Sequence, residues 1–178
     1  MARSSGSVLA VLGLVSLLAA GCGLTYIVPA AAGSAEQRQA MPDLLLGDGT
    51  AMPVHLRHYA GNVILLNFWA MSCGPCVKEL VFLNRLQGDL PGQPLVVMPV
   101  NVDATAMATI KDFLARQKLT YLKPFADPTG NAANALGVRG LPSSVIIDKK
   151  GRVVQAVEGP VEWDQPAVVA RFRELLKE

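Results

Sequence analysis

The sequence predicts an α/β fold, a mixed sheet flanked by helices on both faces and opened by an N-terminal hairpin. Three observations carry this. Apolar runs of strand length alternate with segments whose apolar residues recur at helical spacing. The last two strand candidates are separated only by Lys149-Lys150-Gly151, a hairpin turn. Hydrophobic residues make up 51% of the 178, enough to fill a buried core without a framework of disulfides. The resulting order is hairpin, strand, helix, strand, helix, strand, strand, helix. It requires a mixed sheet with helices on both faces.

Each element has its local reason. Leu44-Leu45-Leu46, a Gly47-Asp48-Gly49-Thr50 turn and Val54-His55-Leu56 read as the small hairpin. Gly61-Asn62 turns the chain into a strand from Val63 to Phe68. That strand is apolar almost throughout, which suits a central strand covered on both sides. From Cys76 to Gln87, Val77, Leu80, Val81, Leu83 and Leu86 follow a helical period, and Gly88 marks the expected stop. Leu95 to Val102 is a second buried strand. Ala106 to Gln117 is a helix with Ile110, Phe113 and Leu114 on one face. Asp127-Pro128-Thr129-Gly130 forms a turn, and a short helix follows to Leu136. Ser144 to Asp148 and Arg152 to Val157 are the paired strands, and Gln165 to Lys177 is the closing helix.

The N-terminal part differs from the rest. Arg3 is the only basic residue before Arg38, Ser7 to Ala35 carries no charge, and Val8 to Ala20 is apolar. This pattern reads as an export signal or membrane anchor over residues 1–32. Two readings stand. Ala19-Ala20-Gly21-Cys22 resembles a bacterial lipoprotein signal, which would leave a lipid on Cys22. Alternatively, the uncharged stretch to Ala32 reaches the roughly 20 residues that span a bilayer and stays as an anchor. Either places the remainder outside the cytoplasm, in the periplasm, tethered to a membrane. Residues 33–41 are small and polar, a tether, and the folded domain occupies residues 42–178. With Cys22 in the export segment, that domain keeps only Cys73 and Cys76 and has no spare cysteine to mispair in an oxidising compartment. The net charge of +2 comes without a basic stripe, so nucleic acid is not an expected partner.

The chemistry concentrates in Cys73-Gly74-Pro75-Cys76, between the apolar strand and the helix. Two thiols at such a junction can interconvert with a disulfide. Unpaired N–H groups and the helix dipole favour a thiolate there. Pro75 suits the first helical position, where its missing N–H costs nothing. Cys73 is expected to be the exposed nucleophile and Cys76 the resolving thiol. A zinc site would need two further ligands. There is no second cysteine pair, and His55 and His58 read as hydrated loop residues, so no metal or other cofactor is expected.

Taken together, several segments resemble the thioredoxin superfamily and, within it, the membrane-tethered bacterial TlpA/ResA-like thiol–disulfide oxidoreductases. They are Pro42-Asp43, Leu66-Asn67-Phe68-Trp69-Ala70, the CxxC motif with Glu79, and Val100-Asn101-Val102-Asp103. Gly137-Val138-Arg139-Gly140-Leu141-Pro142 and Ile146-Ile147-Asp148-Lys149-Lys150-Gly151 complete the set. Ser72, Val81 and Ser143-Ser144 depart from the family pattern, at a partner surface and a helix kink but not at the dithiol. The resemblance implies a thioredoxin-like sheet and a cis Pro142 facing the dithiol, with the Leu141 backbone offered to an extended substrate. It also gives Glu79, three residues after Cys76 on one helix face, a role in carrying the resolving proton. Asn67 stands where thioredoxins keep a buried Asp. An amide cannot ionise, so Glu79 is the better proton candidate. Trp69 and Trp163 read as packing residues, with Trp69 bordering the site.

The Gly74-Pro75 pair matches reducing thioredoxins, so the expected activity is reduction of disulfides in client proteins. The family implies clients such as apocytochrome c thiols or copper-site cysteines. It also implies a membrane thiol transporter of the CcdA/DsbD type as reductant. A general oxidase or isomerase, and a copper-delivery protein on the same fold, are the alternatives.

Overall fold

The computed structural model describes residues 37–178. The export segment, residues 33–36 of the tether and Cys22 lie outside the described residues. Within the segment read as tether, the end nearest the domain is fastened to it. Ala40 bridges Arg152, and the Arg38 guanidinium reaches Asp148 at 3.1 Å and Glu178 at 2.5 Å.

The hairpin is present but short. Strand β1 (Leu45–Leu46) pairs antiparallel with β2 (Val54–His55). Leu56, expected to continue the second strand, instead opens a 3-10 helix, Leu56–Tyr59, and is buried. His55 is only half exposed, and its Nδ1 lies 2.7 Å from an Asp43 carboxylate oxygen.

The main sheet has five strands in the order β5-β4-β3-β6-β7. They are β3 (Val63–Trp69), β4 (Leu95–Asn101), β5 (Phe125–Ala126), β6 (Ser143–Ile147) and β7 (Val153–Glu158). All seven residues of β3 are buried, as a central strand under two layers requires. Strands β3, β4 and β5 pair parallel, whereas β6 runs antiparallel to both its neighbours, β3 and β7, so the sheet is mixed as expected. The short edge strand β5 is absent from the order the sequence predicts. Two residues are too few to show a period, and their pairing with Val100 and Asn101 is made by the fold rather than by local pattern.

Helix α1 (Gly74–Asp89) starts at Gly74, before the expected Cys76, and runs through Gly88. Gly88 is not a stop. A Cβ there would come within 2.8 Å of the Tyr121 ring, so the glycine makes room for a side chain from elsewhere in the chain. The other helices are α2 (Met107–Arg116), α3 (Asn131–Ala135) and α4 (Pro166–Leu175).

Strand alternation divides the core. Val63, Leu65 and Trp69 pack with Leu80, Leu83 and Leu86 of α1, Ile110 of α2 and Phe172 of α4. Ile64, Leu66 and Phe68 pack with Leu44, Leu46, Leu56, Phe125 and Ala132 on the other side. Three helices therefore cover one face, while the hairpin and α3 cover the other. Leu83 is fully buried at the centre of the larger layer. Leu83→Ala should lower unfolding free energy in urea titrations by about 2–5 kcal/mol, the usual cost of a leucine-sized core cavity.

The register defines one functional end. Trp69 pairs with Asn101, and Phe68 pairs with Ser143. The chain leaving β3, the chain leaving β4 and the chain entering β6 therefore converge at the carboxyl ends of the parallel strands. In open α/β sheets this is where ligand sites form.

Candidate active site

The β3-to-α1 connection brings the two cysteines to that end. Cys73 takes the N-cap position of α1, with extended backbone, and its Sγ accepts the Cys76 N–H at 3.3 Å. The two sulfurs form a disulfide, S–S 1.98 Å, with Cα atoms 5.3 Å apart. Gly74 is the first helical residue and Pro75 the second, one place later than expected. The shift costs nothing, because the first four helical N–H groups all lack intrahelical acceptors.

The two sulfurs have unequal surroundings. Cys73 is half-buried between Ser72 and Gly74, both exposed, and a Cβ on Gly74 would meet no atom within 4 Å. Cys76 is 0% exposed, packed into the layer beneath α1.

Three residues after Cys76 on α1, Glu79 anchors a buried polar cluster. Glu79 is 1% exposed, so it is no ordinary solvated helix carboxylate. Its Oε1 accepts the Trp163 indole N–H at 2.7 Å and the Val161 N–H at 3.0 Å, and its Oε2 accepts Asn67 Nδ2 at 3.0 Å. Burial pushes the carboxyl above its ordinary pKa, and the three donors offset only part of that rise. Asn67 Nδ2 also donates to Ser144 Oγ at 2.9 Å, while its Oδ1 is buried with no partner among the described residues. The side chain of Trp163, read from sequence as packing, is thus also a donor to the buried Glu79 carboxylate. It sits in the irregular stretch before α4, where no periodic signal could have assigned it a partner.

Trp69 ends β3, four residues before Cys73. It is 0% exposed and its ring packs against Phe113, centroids 5.5 Å apart. The Leu141–Pro142 bond is cis. Pro142 is buried and its carbonyl accepts the Gly159 N–H at 2.9 Å, whereas Leu141 is 37% exposed. Among the described residues the Leu141 main chain makes no hydrogen bond. Pro142 precedes the Phe68/Ser143 pair, so it lies at the sheet end from which Trp69 leads to Cys73.

A CxxC pair at the strand-to-helix junction of this sheet defines a thiol–disulfide oxidoreductase of the thioredoxin fold. The family profile described as Redoxin matches residues 36–172, and the chain belongs to that family. The thiol-disulfide oxidoreductase ResA of Bacillus thuringiensis subsp. konkukian is 31% identical over 125 residues, 70% of each chain. A crystal structure assigned to a thiol:disulfide interchange protein DsbE from Chlorobium tepidum superposes with a TM-score of 0.68 at 30% identity. That match covers 78% of this chain and 96% of the other. The exposed lipoprotein thioredoxin Etrx1 of Streptococcus pneumoniae gives 0.62 at 26% identity, over 74% and 98%.

Proposed function

We propose that this oxidoreductase is an extracytoplasmic, membrane-tethered reductase of protein disulfides, with Cys73 as the attacking thiol and Cys76 as the resolving one. The observation that carries the assignment is the asymmetry of the sulfurs. Cys73 is partly exposed and sits at a helix N-terminus, whereas Cys76 has no exposed surface and is followed three residues later on the same helix by the buried Glu79. In the reduced enzyme, Cys73 thiolate attacks a client disulfide. A Cys73–client disulfide forms and the client's first sulfur leaves as a thiolate that takes a proton. Cys76 then gives its proton toward Glu79 and attacks Cys73 Sγ. The mixed disulfide breaks, the second client thiolate leaves and is protonated, and the enzyme ends as the Cys73–Cys76 disulfide. Two electrons have passed to the client, and an external dithiol must restore them.

Asn67 suits this traffic. With Glu79 ionised, Nδ2 donates to Oε2, as here. With Glu79 protonated, rotating the amide would let Oδ1 accept the carboxyl proton and the Ser144 hydroxyl, so the cluster can satisfy both states. The unpaired Leu141 main chain is the proposed edge for an extended client segment.

The apolar stretch before Cys22 supports the location, as does the lipoprotein described for the pneumococcal neighbour. Reduction rather than oxidation is supported by Gly74-Pro75. The proposed clients are apocytochrome c thiols or copper-site cysteines, re-reduced by a membrane thiol transporter of the CcdA/DsbD type. A glutathione redox titration of the Cys73/Cys76 pair tests the direction. Thioredoxin and DsbA differ by roughly 150 mV, about 7 kcal/mol for two electrons. A midpoint near thioredoxin's, roughly −270 mV, is expected. One near DsbA's, roughly −120 mV, would make the protein an oxidant.

A further inference from the structure

We propose that Asp103 is a positioning residue that sets the reactivity of Cys73 by holding the Met71 peptide, an inference that rests on Cys73 being the attacking thiol. Only Ala70 to Ser72 separate β3 from Cys73, and three hydrogen bonds shape that passage. Val102 N–H donates to the Trp69 carbonyl at 3.0 Å, Cys73 N–H to the Ala70 carbonyl at 3.1 Å, and Met71 N–H to Asp103 Oδ2 at 2.8 Å. The first two are main-chain bonds that side chains do not supply. The third exists only because a side-chain acceptor, here a carboxylate, stands at position 103. A bond to an ionised acceptor is also among the stronger kinds.

Asp103 is itself aimed. Asn101 Nδ2 donates to the same Oδ2 at 2.9 Å, and the Asp103 N–H donates to Asn101 Oδ1 at 3.0 Å. Asn101 is fully buried and pairs with Trp69 in the β3/β4 register. A chain of contacts therefore runs from the sheet through Asn101 and Asp103 to Met71, two residues before Cys73. It fixes the last stretch that could swing the Cys73 sulfur away from the Cys76 N–H and the helix N-terminus. Those are the groups that favour a thiolate. The carboxylate's own negative charge acts against the thiolate, and the two effects separate by substitution. Asp103→Ala removes acceptor and charge, whereas Asp103→Asn keeps an acceptor for Met71 N–H and removes the charge.

The experiment is the pH–rate profile for iodoacetamide alkylation of Cys73 in the reduced full chain. Asp103→Ala is expected to shift the midpoint upward and slow labelling at pH 7 about ten-fold, while Asp103→Asn labels at least as fast as wild type. A purely structural role would lower Tm without moving the midpoint. An unmoved midpoint in Asp103→Ala, or Asp103→Asn falling together with it, overturns the proposal. If Asp103→Ala does not fold, amide exchange in the wild type decides. Met71 N–H should exchange at least about ten-fold more slowly than Ser72 N–H, and equal rates overturn the clamp. Wild-type Cys73 that resists alkylation would instead sink the functional reading, and the Met71 exchange would still judge Asp103 by itself.

Discussion

Cys76→Ala should turn the protein into a trap that accumulates client adducts on Cys73, while Cys73→Ser should abolish disulfide reduction, with a loss of at least about 10³-fold. The expectation follows from the order of steps. A client disulfide can approach the partly exposed Cys73 at the head of α1, but it cannot reach Cys76, which has no exposed surface. With Cys73 gone, no accessible thiol remains in the described residues. With Cys76 gone, the first exchange proceeds and the intramolecular release does not, because its speed comes from holding the second sulfur beside the first. Non-reducing gels of cells or of a model disulfide peptide read both outcomes. Adducts that persist in Cys76→Ala and vanish with dithiothreitol are expected. Adducts in Cys73→Ser but not in Cys76→Ala would reverse the assignment.

Glu79→Gln should slow turnover about 10²-fold, the typical contribution of a positioned acid–base group, and should remove one limb of the pH dependence. The fold can accept the change. The amide oxygen of the Glu79→Gln side chain would keep the Trp163 and Val161 donors, and an Asn67 amide turned over would offer Oδ1 to the new NH2 group. Burial raises the Glu79 carboxyl in the folded state, so below that raised value it carries a proton and cannot take one from Cys76. The resolving step should therefore quicken as pH climbs through the Glu79 titration, and the Glu79→Gln variant should lack that rise. Stability moves the opposite way. A folded carboxyl raised above its unfolded value binds the proton more tightly in the native state. Its stabilisation is complete below the ordinary value of 4.5 and is lost as pH rises through the folded one. Stopped-flow measurement of mixed-disulfide resolution should show the rise in the wild type and not in Glu79→Gln, and urea titrations across the same pH series should show the stability loss as the difference between the two proteins.

The parts of this site legible in the sequence are those written locally. The apolar run from Val63 signals a strand buried on both faces, and Cys73 to Cys76 at its exit mark the helix start to within two residues. The parts that are not legible depend on which distant segments meet. Strand β5 exists because Phe125 and Ala126 find Val100 and Asn101. Gly88 reads as a helix stop because glycine usually ends helices, yet here the Tyr121 ring occupies the space a side chain would need. Glu79 stands out by its spacing from Cys76, but its burial and the Trp163 and Val161 donors come from a loop more than eighty residues away. The Asn101 and Asp103 side chains belong to a recognisable pattern that gives them no task. Only the parallel register that sets Trp69 beside Asn101 supplies one.

The most direct test of the account is competitive labelling of the fully reduced protein with substoichiometric iodoacetamide near neutral pH, followed by peptide mass mapping. The label should fall on Cys73, with Cys76 modified only after denaturation. Equal labelling of the two, or preferential labelling of Cys76 in the native protein, would contradict the claim that one sulfur of this pair meets clients while the other waits behind it.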